Sequence, residues 1–143
     1  MYVINNIEDF SHRNNDIITL LSQLSTTTQI SKSDFLIFLI NKPLNHNIYV
    51  CIDNELDKIV GIITIIIESK LIHNFGKVAH IEDLVVDKEE RNKGIAQLLI
   101  NKCIEYAKNE NCYKIILNCN ENLIKFYEKS NFYNAGYQMR MNL

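Results

Sequence analysis

A basic, glycine-containing turn is the part of this sequence whose residue types most clearly suggest chemistry. It reads RNKGIA over residues 91–96 and leads directly into a helical pattern. Backbone N–H groups at the start of a helix bind phosphate, and the helix dipole favours the negative charge. Gly94 and Ala96 leave room for phosphate oxygens to reach the backbone, and Arg91 and Lys93 add positive charge. The turn therefore predicts a site for a diphosphate-bearing cofactor.

The same turn has a plainer interpretation, an ordinary helix start with solvated charges. From average amino-acid composition, a motif of a basic residue or Gln, then Gly, then Gly or Ala at this spacing is expected by chance in roughly one unrelated chain in ten. The surrounding elements favour the cofactor interpretation. Residues 81–86 are apolar and β-branched apart from Glu82, Asp83 and one leucine, which is typical of a buried strand. After the turn, apolar residues recur at helical spacing, at Ile95, Leu98, Leu99, Cys103 and Tyr106.

The other segments predict helices packed on a largely antiparallel sheet, a mixed α/β (α+β) fold. Strands are expected at residues 2–4, 48–52, 59–68, from 78, 114–119 and 137–141, the last of which would close the sheet. Helices are expected at residues 17–24, 35–40, from 93 and 123–129. Ser31 begins a capping box, Asn120 is placed to cap the last helix, and Asn131 suits the left-handed conformation that ends it.

Length and composition narrow the class of protein. The 143 residues suit one domain, 1–143, and the net charge of −2 gives no basic surface for nucleic acid. The four cysteines have neither C-x-x-C spacing nor a pair of histidines nearby, so we expect no metal site and a reducing, cytoplasmic setting. The longest aliphatic run, residues 62–67, is far shorter than the roughly 20 residues of a membrane span, and no secretory signal is evident.

Four further segments carry a resemblance to a known family. They read HIEDLVV from His80, LLINKCIEYAK from Leu98, CYKIILNCN from Cys112 and KFYEKSNF from Lys125. With the Arg-x-x-Gly-x-Ala turn they resemble the GNAT superfamily of N-acetyltransferases, and within it the members that acetylate glucosamine 6-phosphate. The resemblance implies a GNAT fold with two splayed central strands, acetyl-CoA as co-substrate without a metal, and a homodimer. It also implies direct transfer in a ternary complex, as a step of UDP-N-acetylglucosamine biosynthesis.

The resemblance assigns roles around the expected gap between the splayed strands. Tyr127 would donate a hydrogen bond or proton to the departing thiolate, and the backbone N–H of Leu84 would polarise the thioester carbonyl. Glu82 and Asp83 would contact the amine or the sugar hydroxyls. Because adjacent strand residues point to opposite faces, these two are not expected to form a paired-carboxylate site. Asn118 stands where the family usually has Asp, so we expect its backbone carbonyl, rather than a side-chain base, to orient the amine.

The resemblance also implies two sets of contact residues. The cofactor would contact Leu84, Val85, Val86, Arg91, Asn92, Lys93, Gly94, Ile95, Ala96, Gln97 and Tyr127. The sugar phosphate would contact Ser25, Thr26, Lys70, His73, Glu82, Asp83, Tyr113, Lys114 and Asn118. The family adds a basic residue from the partner subunit near the C-terminus. Asn142 is the aligned position, and Arg140, on the same strand face, is expected to replace it. His12, His46 and His80 are interpreted as structural or surface residues.

Two alternative functions stay open from the sequence. The first is the same fold acting on another amine, such as a polyamine or a protein N-terminus; the KLIH, HIED and CYK segments argue against it. The second is a catalytically silent CoA-binding module. Tyr127 and the intact turn argue against this module, whereas Asn118 keeps it open. Cys119 could act as a nucleophile, but no histidine is spaced to activate it.

Overall fold

The structure is a computed structural model that describes residues 1–143. The strands are β1 (Tyr2–Asn6), β2 (His46–Asp53), β3 (Lys58–Ser69), β4 (Lys77–Val86) and β5 (Cys112–Leu117). The α-helices are α1 (Asn14–Leu21), α2 (Lys32–Asn41), α3 (Ile72–Phe75), α4 (Ile95–Asn109) and α5 (Ile124–Glu128). Two 3-10 helices span Ile7–Arg13 and Glu121–Leu123. None of the helices combines the length and apolar character that crossing a bilayer requires.

The five strands form one sheet in the order β1-β2-β3-β4-β5. The first four pair antiparallel, and β4 pairs parallel with β5 through the crossover helix α4. The β4–β5 register runs only from Lys77–Cys112 to Ile81–Leu117, although β4 continues to Val86. The two central strands therefore part at the end of β4 that leads into the cofactor turn. This mixed, mostly antiparallel sheet with flanking helices confirms the predicted fold class.

Each face of the sheet carries its own apolar core. On one face α4 buries Leu99 and Cys103 against β3 and β4. On the other face α1 and α2 cover β2 and β3, and Ile17 is completely buried there. Gly61 lets α4 come close, because a Cβ at that position would stand 2.9 Å from Cδ1 of Leu99. This packing fixes the start of α4 against the sheet.

A β-bulge interrupts β4 beside the point where β4 and β5 part. Val85 registers with Ile62 and Glu82 with Thr64, so β4 has one residue more than β3 between these pairs. Asp83 lies within the bulge with φ of 50°, a left-handed conformation that aspartate tolerates better than most residues. Bulges of this kind re-aim side chains next to functional sites.

Some of the predicted boundaries were wrong. The helix expected from Lys93 begins at Ile95, and the side chain of Asn120 makes no capping hydrogen bond. Residues 137–141 form no strand: the chain beyond Phe132 has no regular structure, and its alternating apolar side chains are almost fully exposed. Within one chain this segment makes no ladder with β5, the edge strand it would need to join. Ser31 does cap α2, since its hydroxyl accepts a hydrogen bond from the backbone N–H of Asp34 at 3.1 Å.

Candidate active site

The turn between β4 and α4 leaves the first backbone N–H groups of α4 free for an anion. Gly94 precedes the helix with φ of 82°, and no side chain caps the helix there. A Cβ on Gly94 would meet no atom within 4 Å, so the space over the helix start is open. Asn92 is also left-handed, with φ of 63°. A 15-residue helix with an uncapped, open N-terminus is a phosphate site by geometry and by its dipole.

Of the two basic residues at the turn, Lys93 is in an ion pair and Arg91 is not. The Nζ of Lys93 lies 2.8 Å from Glu90, and the hydroxyl of Tyr2 donates to the same carboxylate at 3.0 Å. The bond from Lys93, and then the bond from Tyr2, hold the pKa of Glu90 below its usual value. Arg91 is exposed and makes no ion pair, although its Nε donates to the carbonyl oxygen of Val86 at 3.3 Å. Arg91 is thus the cation available to a bound diphosphate.

Asp87 holds the turn in shape from its first residue. Its carboxylate accepts from the backbone N–H of Glu89 at 3.0 Å, and its carbonyl accepts from the N–H of Glu90 at 2.8 Å. Lys58 pairs with the carboxylate at 2.8 Å, and this bond is the main reason that the pKa of Asp87 is lowered. These contacts stabilise the conformation that points the α4 N-terminus into the open space.

The last residues of β4 border the gap between the two central strands. Past Ile81, β4 has no β5 residue in register, so the β5-facing backbone groups of residues 82–86 have no ladder partner. Leu84 and Val86 pack on the α4 side of the sheet, and Val85 packs on the opposite side. An extended chain bearing amides could hydrogen-bond along this free edge. The turn, the free edge and the open helix start therefore fit the diphosphate and pantetheine parts of acetyl-CoA.

Tyr127 lies at the same end of the sheet, in α5. Gln97 of α4 donates to Ser130, just after α5, at 2.8 Å, and this bond ties the two helices together. The Tyr127 ring is 9% exposed and packs edge-on against Phe126 at 4.9 Å and against Phe132 at 6.0 Å. Its hydroxyl makes no hydrogen bond within the chain, and burial raises its pKa above the usual value near 10.0. The hydroxyl is therefore protonated at neutral pH and free to donate.

A cavity of about 710 Å³ opens on the other face of the sheet, beneath α1 and α2. This volume is typical of small-molecule sites. Most of the residues that line the cavity are apolar, and Asp83 in the bulge forms part of its wall. The polar side chains of the lining are Thr28, Gln29, Asp34, His46, Thr64 and Asp83. The cavity and the gap between β4 and β5 thus lie on either side of the same short stretch of β4.

The bulge places both carboxylates of the EDL segment on the cavity side, contrary to the prediction from strict alternation. Ile81 and Leu84 pack on the α4 side. Glu82 registers with Thr64, which lines the cavity, and Asp83 lines the cavity itself. Directly opposed residues of a ladder share a face, so both carboxylates lie on the face of the sheet on which the cavity opens, and Asp83 is the one that lines it. Both are exposed and neither forms an ion pair within the chain.

The segment between α1 and α2 reaches the cavity, but with residues other than those expected. Ser25 and Thr26 are exposed and lie outside the cavity lining, whereas Thr28 and Gln29 lie in it. Gln23 accepts a hydrogen bond from the backbone N–H of Lys88 at 2.9 Å, which joins this segment to the cofactor turn. The segment therefore borders the cavity and the turn alike.

Four residues expected to contact the sugar phosphate lie at the far end of β4. The His73 ring packs against the Tyr113 ring at a tilt of 41°, with centroids 4.4 Å apart, and the Nζ of Lys114 lies 5.6 Å from the centre of the Tyr113 ring. Lys70 is engaged by Glu68. This group adjoins the first residue of β4, six residues and roughly 20 Å along the strand from Asp83. Within one chain they do not join the cavity.

Asn118 and Arg140 stand apart from the cavity lining. Asn118 directly follows β5, on the opposite side of the gap from β4, and its side chain is exposed. Arg140 lies in the exposed C-terminal segment, where its Nε donates to Asn142 at 2.8 Å. No group of three or more His, Cys, Asp or Glu side chains is arranged to hold a metal ion.

His46 is a cavity residue to which the sequence analysis gave no functional role. It starts β2, and it lines the cavity together with Asp83, which lies two strands away in the same sheet. The alternation of His46 with Ile48 and Val50, both buried in the α1 and α2 core, is a signal that could have placed it on this face. Thr64 alternates with Ile62 in the same way on β3.

A family model described as the acetyltransferase (GNAT) family matches residues 15–132. The chain therefore belongs to the GNAT acetyltransferase family, whose members use acetyl-CoA. It is 36% identical over 129 residues to glucosamine 6-phosphate N-acetyltransferase of Candida albicans, covering 87% of this chain and 85% of that protein. It is 35% identical over 147 residues to glucosamine 6-phosphate N-acetyltransferase 1 of Dictyostelium discoideum, covering 96% and 87%. A crystal structure of glucosamine-6-phosphate N-acetyltransferase from Arabidopsis thaliana matches with a TM-score of 0.93 and 30% identity, covering 99% of this chain and 98% of that one. These findings confirm the resemblance on which the sequence analysis relied.

Proposed function

We propose that this chain transfers the acetyl group of acetyl-CoA to the amine of glucosamine 6-phosphate, releasing N-acetylglucosamine 6-phosphate and CoA. The observation that carries the proposal is the gap between β4 and β5. On one side it leads to an open helix N-terminus, and on the other the β4 bulge borders a cavity with two carboxylates. The names of the relatives supply the particular amine.

The residues at the gap can support direct transfer. Acetyl-CoA supplies the acetyl group as a thioester. The N–H of Leu84, just after the bulge, donates to the carbonyl oxygen as negative charge develops there. The Asn118 carbonyl orients the amine, which loses a proton to solvent as the C–N bond forms. Tyr127 protonates the sulfur as the C–S bond breaks, and then recovers a proton from water.

An acyl-enzyme route has less support from the structure. It would require Cys119 to be activated by a base. The thiol of Cys119 is exposed and makes no hydrogen bond to a histidine or a carboxylate. A ternary complex in which the amine attacks the thioester directly is the simpler mechanism.

The acceptor side provides negative charge for an ammonium group. Glu82 and Asp83 face the cavity, and Asp34 adds a third carboxylate to its surroundings. These groups can hold the amine and the ring hydroxyls. They cannot hold a phosphate, so the cations for that group must come from elsewhere.

A second copy of the chain is a source of such cations. Residues 137–143 have no regular structure and are exposed, with Tyr137 96%, Met139 92% and Met141 80% exposed. The outer edge of β5 pairs with no strand. We expect the tail of one subunit to pair with the other subunit and to bring Arg140 towards its acceptor site. Sedimentation of the whole chain should then show a homodimer.

The cysteines fit the expected cytoplasmic setting. None of the four is in a disulfide, and Cys51 and Cys103 are fully buried. Burial raises the pKa of Cys103 to about 12 and that of Cys51 to about 11, so neither thiol reacts readily.

Thiol release from acetyl-CoA with a panel of amines tests the proposal. Glucosamine 6-phosphate should react far faster than glucosamine, and spermidine should not react. Several charge-assisted contacts to the phosphate, worth about 1.5–3 kcal/mol each, should separate the two sugars. Equal reaction of both sugars would refute the substrate. Binding of acetyl-CoA without turnover of any amine would favour the silent CoA-binding module.

A further inference from the structure

We propose that Glu90 is a positioning residue for the cofactor turn: tied to Tyr2 of β1, its carboxylate fixes the conformation that binds the diphosphate of acetyl-CoA. This inference rests on the proposed function in taking this turn as the CoA site. Glu90 is 7% exposed, and it is the one buried residue between Asp87 and Ile95, where every other residue is exposed. No step of the proposed transfer uses it.

A buried carboxylate in a turn needs partners, and Glu90 takes them from two sides. Its Oε2 accepts a hydrogen bond from the hydroxyl of Tyr2 at 3.0 Å and another from the Nζ of Lys93 at 2.8 Å. Its backbone N–H donates to the carbonyl oxygen of Asp87 at 2.8 Å. An apolar side chain here would avoid the cost of burying a charge, but it could make neither side-chain bond. These bonds therefore constrain the turn in a way that burial alone would not.

The contact with Tyr2 fastens the turn to the far edge of the sheet. β1 is three strands from β4, roughly 14 Å across at the usual strand spacing. Asp87, where the turn leaves β4, is held by Lys58 of β3 at 2.8 Å, and Glu90 is held by β1. The Tyr2 ring itself packs against the core on the α4 face. The turn is thus fixed at two points to strands of the packed sheet.

The backbone between Glu90 and α4 depends on such a constraint. Asn92 has φ of 63° and Gly94 has φ of 82°, so two left-handed residues follow Glu90 within four positions. A non-glycine residue keeps a left-handed conformation only where the surrounding structure enforces it. The ion pair between Glu90 and Lys93 spans Asn92 and closes this part of the turn. Loss of the pair releases the turn, and with it the fixed direction of the first N–H groups of α4.

Simple electrostatics predicts the opposite effect of Glu90, so the two ideas can be separated. The carboxylate is a negative charge close to an anion site, and it engages the cation of Lys93. If charge alone mattered, removal of Glu90 would strengthen the binding of a diphosphate, because Lys93 would be released. If Glu90 positions the turn, its removal weakens binding, because fewer molecules hold the turn in the binding conformation.

The test is the calorimetric Kd for CoA in four variants. Glu90→Ala should raise the Kd roughly tenfold, in proportion to the fraction of molecules that lose the binding conformation. Tyr2→Phe keeps the ring and should raise the Kd less, about threefold. Glu90→Gln has the same shape and still accepts from Tyr2 and Lys93, so its Kd should stay within about twofold of the wild-type value. As a control, Glu110→Ala breaks a 2.8 Å ion pair with Lys77 at the other end of β4 and should leave the Kd unchanged.

Turnover should not follow these changes in affinity. With saturating acetyl-CoA and glucosamine 6-phosphate, kcat should stay within about twofold of wild type in each variant, while the KM for acetyl-CoA rises with the Kd, because no group assigned to the transfer step is altered. Thermal unfolding of the same samples shows which variants are folded, and Tyr2→Phe carries the test if Glu90→Ala does not fold.

Two results would overturn the positioning role. The first is tighter or unchanged CoA binding in both Glu90→Ala and Tyr2→Phe. The second is a loss of affinity in Glu90→Gln equal to that in Glu90→Ala, since the conservative variant would then rescue nothing. A wild-type chain that binds CoA and acetylates no amine would instead overturn the proposed function and leave the role of Glu90 in place.

Discussion

The hydroxyl of Tyr127 can be removed with little effect on folding, so its role in catalysis can be tested by itself. The ring belongs to the core on the α4 face and packs on Phe126 and Phe132. Phenylalanine keeps these contacts. Because the hydroxyl has no partner within the chain, Tyr127→Phe should change the free energy of unfolding by less than about 1 kcal/mol.

The expected effect on turnover is much larger. A positioned general acid typically contributes 10²- to 10⁴-fold, and each factor of ten corresponds to about 1.36 kcal/mol of barrier. Tyr127→Phe should therefore lower kcat by roughly 100-fold or more, at least about 2.7 kcal/mol. Both KM values should change little, since the contact is made in the transition state. Burial raises the pKa of Tyr127 above its usual value near 10.0, so the wild-type enzyme should keep this acid protonated throughout pH 6–9.

The assay is initial-rate thiol release from acetyl-CoA at saturating amine, with thermal unfolding measured on the same samples. Tyr106→Phe is the matched control. Tyr106 is a half-buried tyrosine of α4 whose hydroxyl accepts a bond from Asn47 at 2.7 Å, away from the gap. Near wild-type turnover in Tyr127→Phe would mean that the tyrosine only packs. An equal fall in both variants would point to a general loss of structure.

Three further changes test the turn, the gap and the electrostatics of folding. Gly94→Val should raise the KM for acetyl-CoA about tenfold or more, because a branched side chain would fill the open space over the helix start. Gly94→Ala imposes the same left-handed backbone on a non-glycine residue but adds a smaller side chain, so it should raise the KM less. An unchanged KM in both variants would rule out the phosphate site. Asn118→Asp should fold normally and change kcat by less than about tenfold, which is under ~1.4 kcal/mol of activation barrier. A much larger increase in kcat with any amine of the panel would show that the natural chain lacks a needed base. The pKa of Asp87 is lowered in the folded chain, chiefly by Lys58, so its contribution to stability is present above the usual value of 3.8 and is lost as pH falls through the lowered value. Asp87→Asn should therefore reduce the free energy of urea unfolding more at pH 7 than at pH 3, and an equal reduction at both would contradict the linkage.

The elements that position the cofactor were predictable because their signals are local. The β-branched run before the turn, the 3.6-residue period after it and the small residues at the helix start all lie within about 25 residues of sequence. The role of Tyr127 came from the family resemblance and stays a prediction; β5, the strand before it, was expected to be buried but has no buried residue within one chain. Helix limits were less certain, and α4 begins two residues later than expected because Gly94 is left-handed and the helix can start only after it.

The features of the site that could not be predicted from the sequence depend on the pairing of distant strands or on contacts with other chains. The bulge at Asp83 is visible only once β3 and β4 are aligned, and it changes which face two carboxylates share. Glu90 accepts a hydrogen bond from Lys93, three residues later, which removes a charge that the turn would seem to offer. The same carboxylate accepts a hydrogen bond from Tyr2, in a distant part of the chain, and that contact is visible only in the fold. Apolar and polar residues alternate over 137–141 as they do in a strand. A strand forms only when it pairs with the edge of a sheet, however, and the segment's own sequence does not determine that pairing.

In the proposed mechanism the one-residue bulge allows the site to join two substrates across a sheet. In a regular strand, consecutive side chains point to alternate faces of the sheet, so a residue on the cavity side would be followed directly by one on the α4 side. Here Glu82 and Asp83 both face the cavity before Leu84 returns to the α4 side. In the proposed mechanism the extra residue gathers negative charge beside the amine, while the next residue, Leu84, lies where β5 has already separated from β4. The proposed contacts to the amine and to the thioester carbonyl are thereby one residue apart on a single strand, so the packing of β4 fixes their separation and no loop has to close to create it.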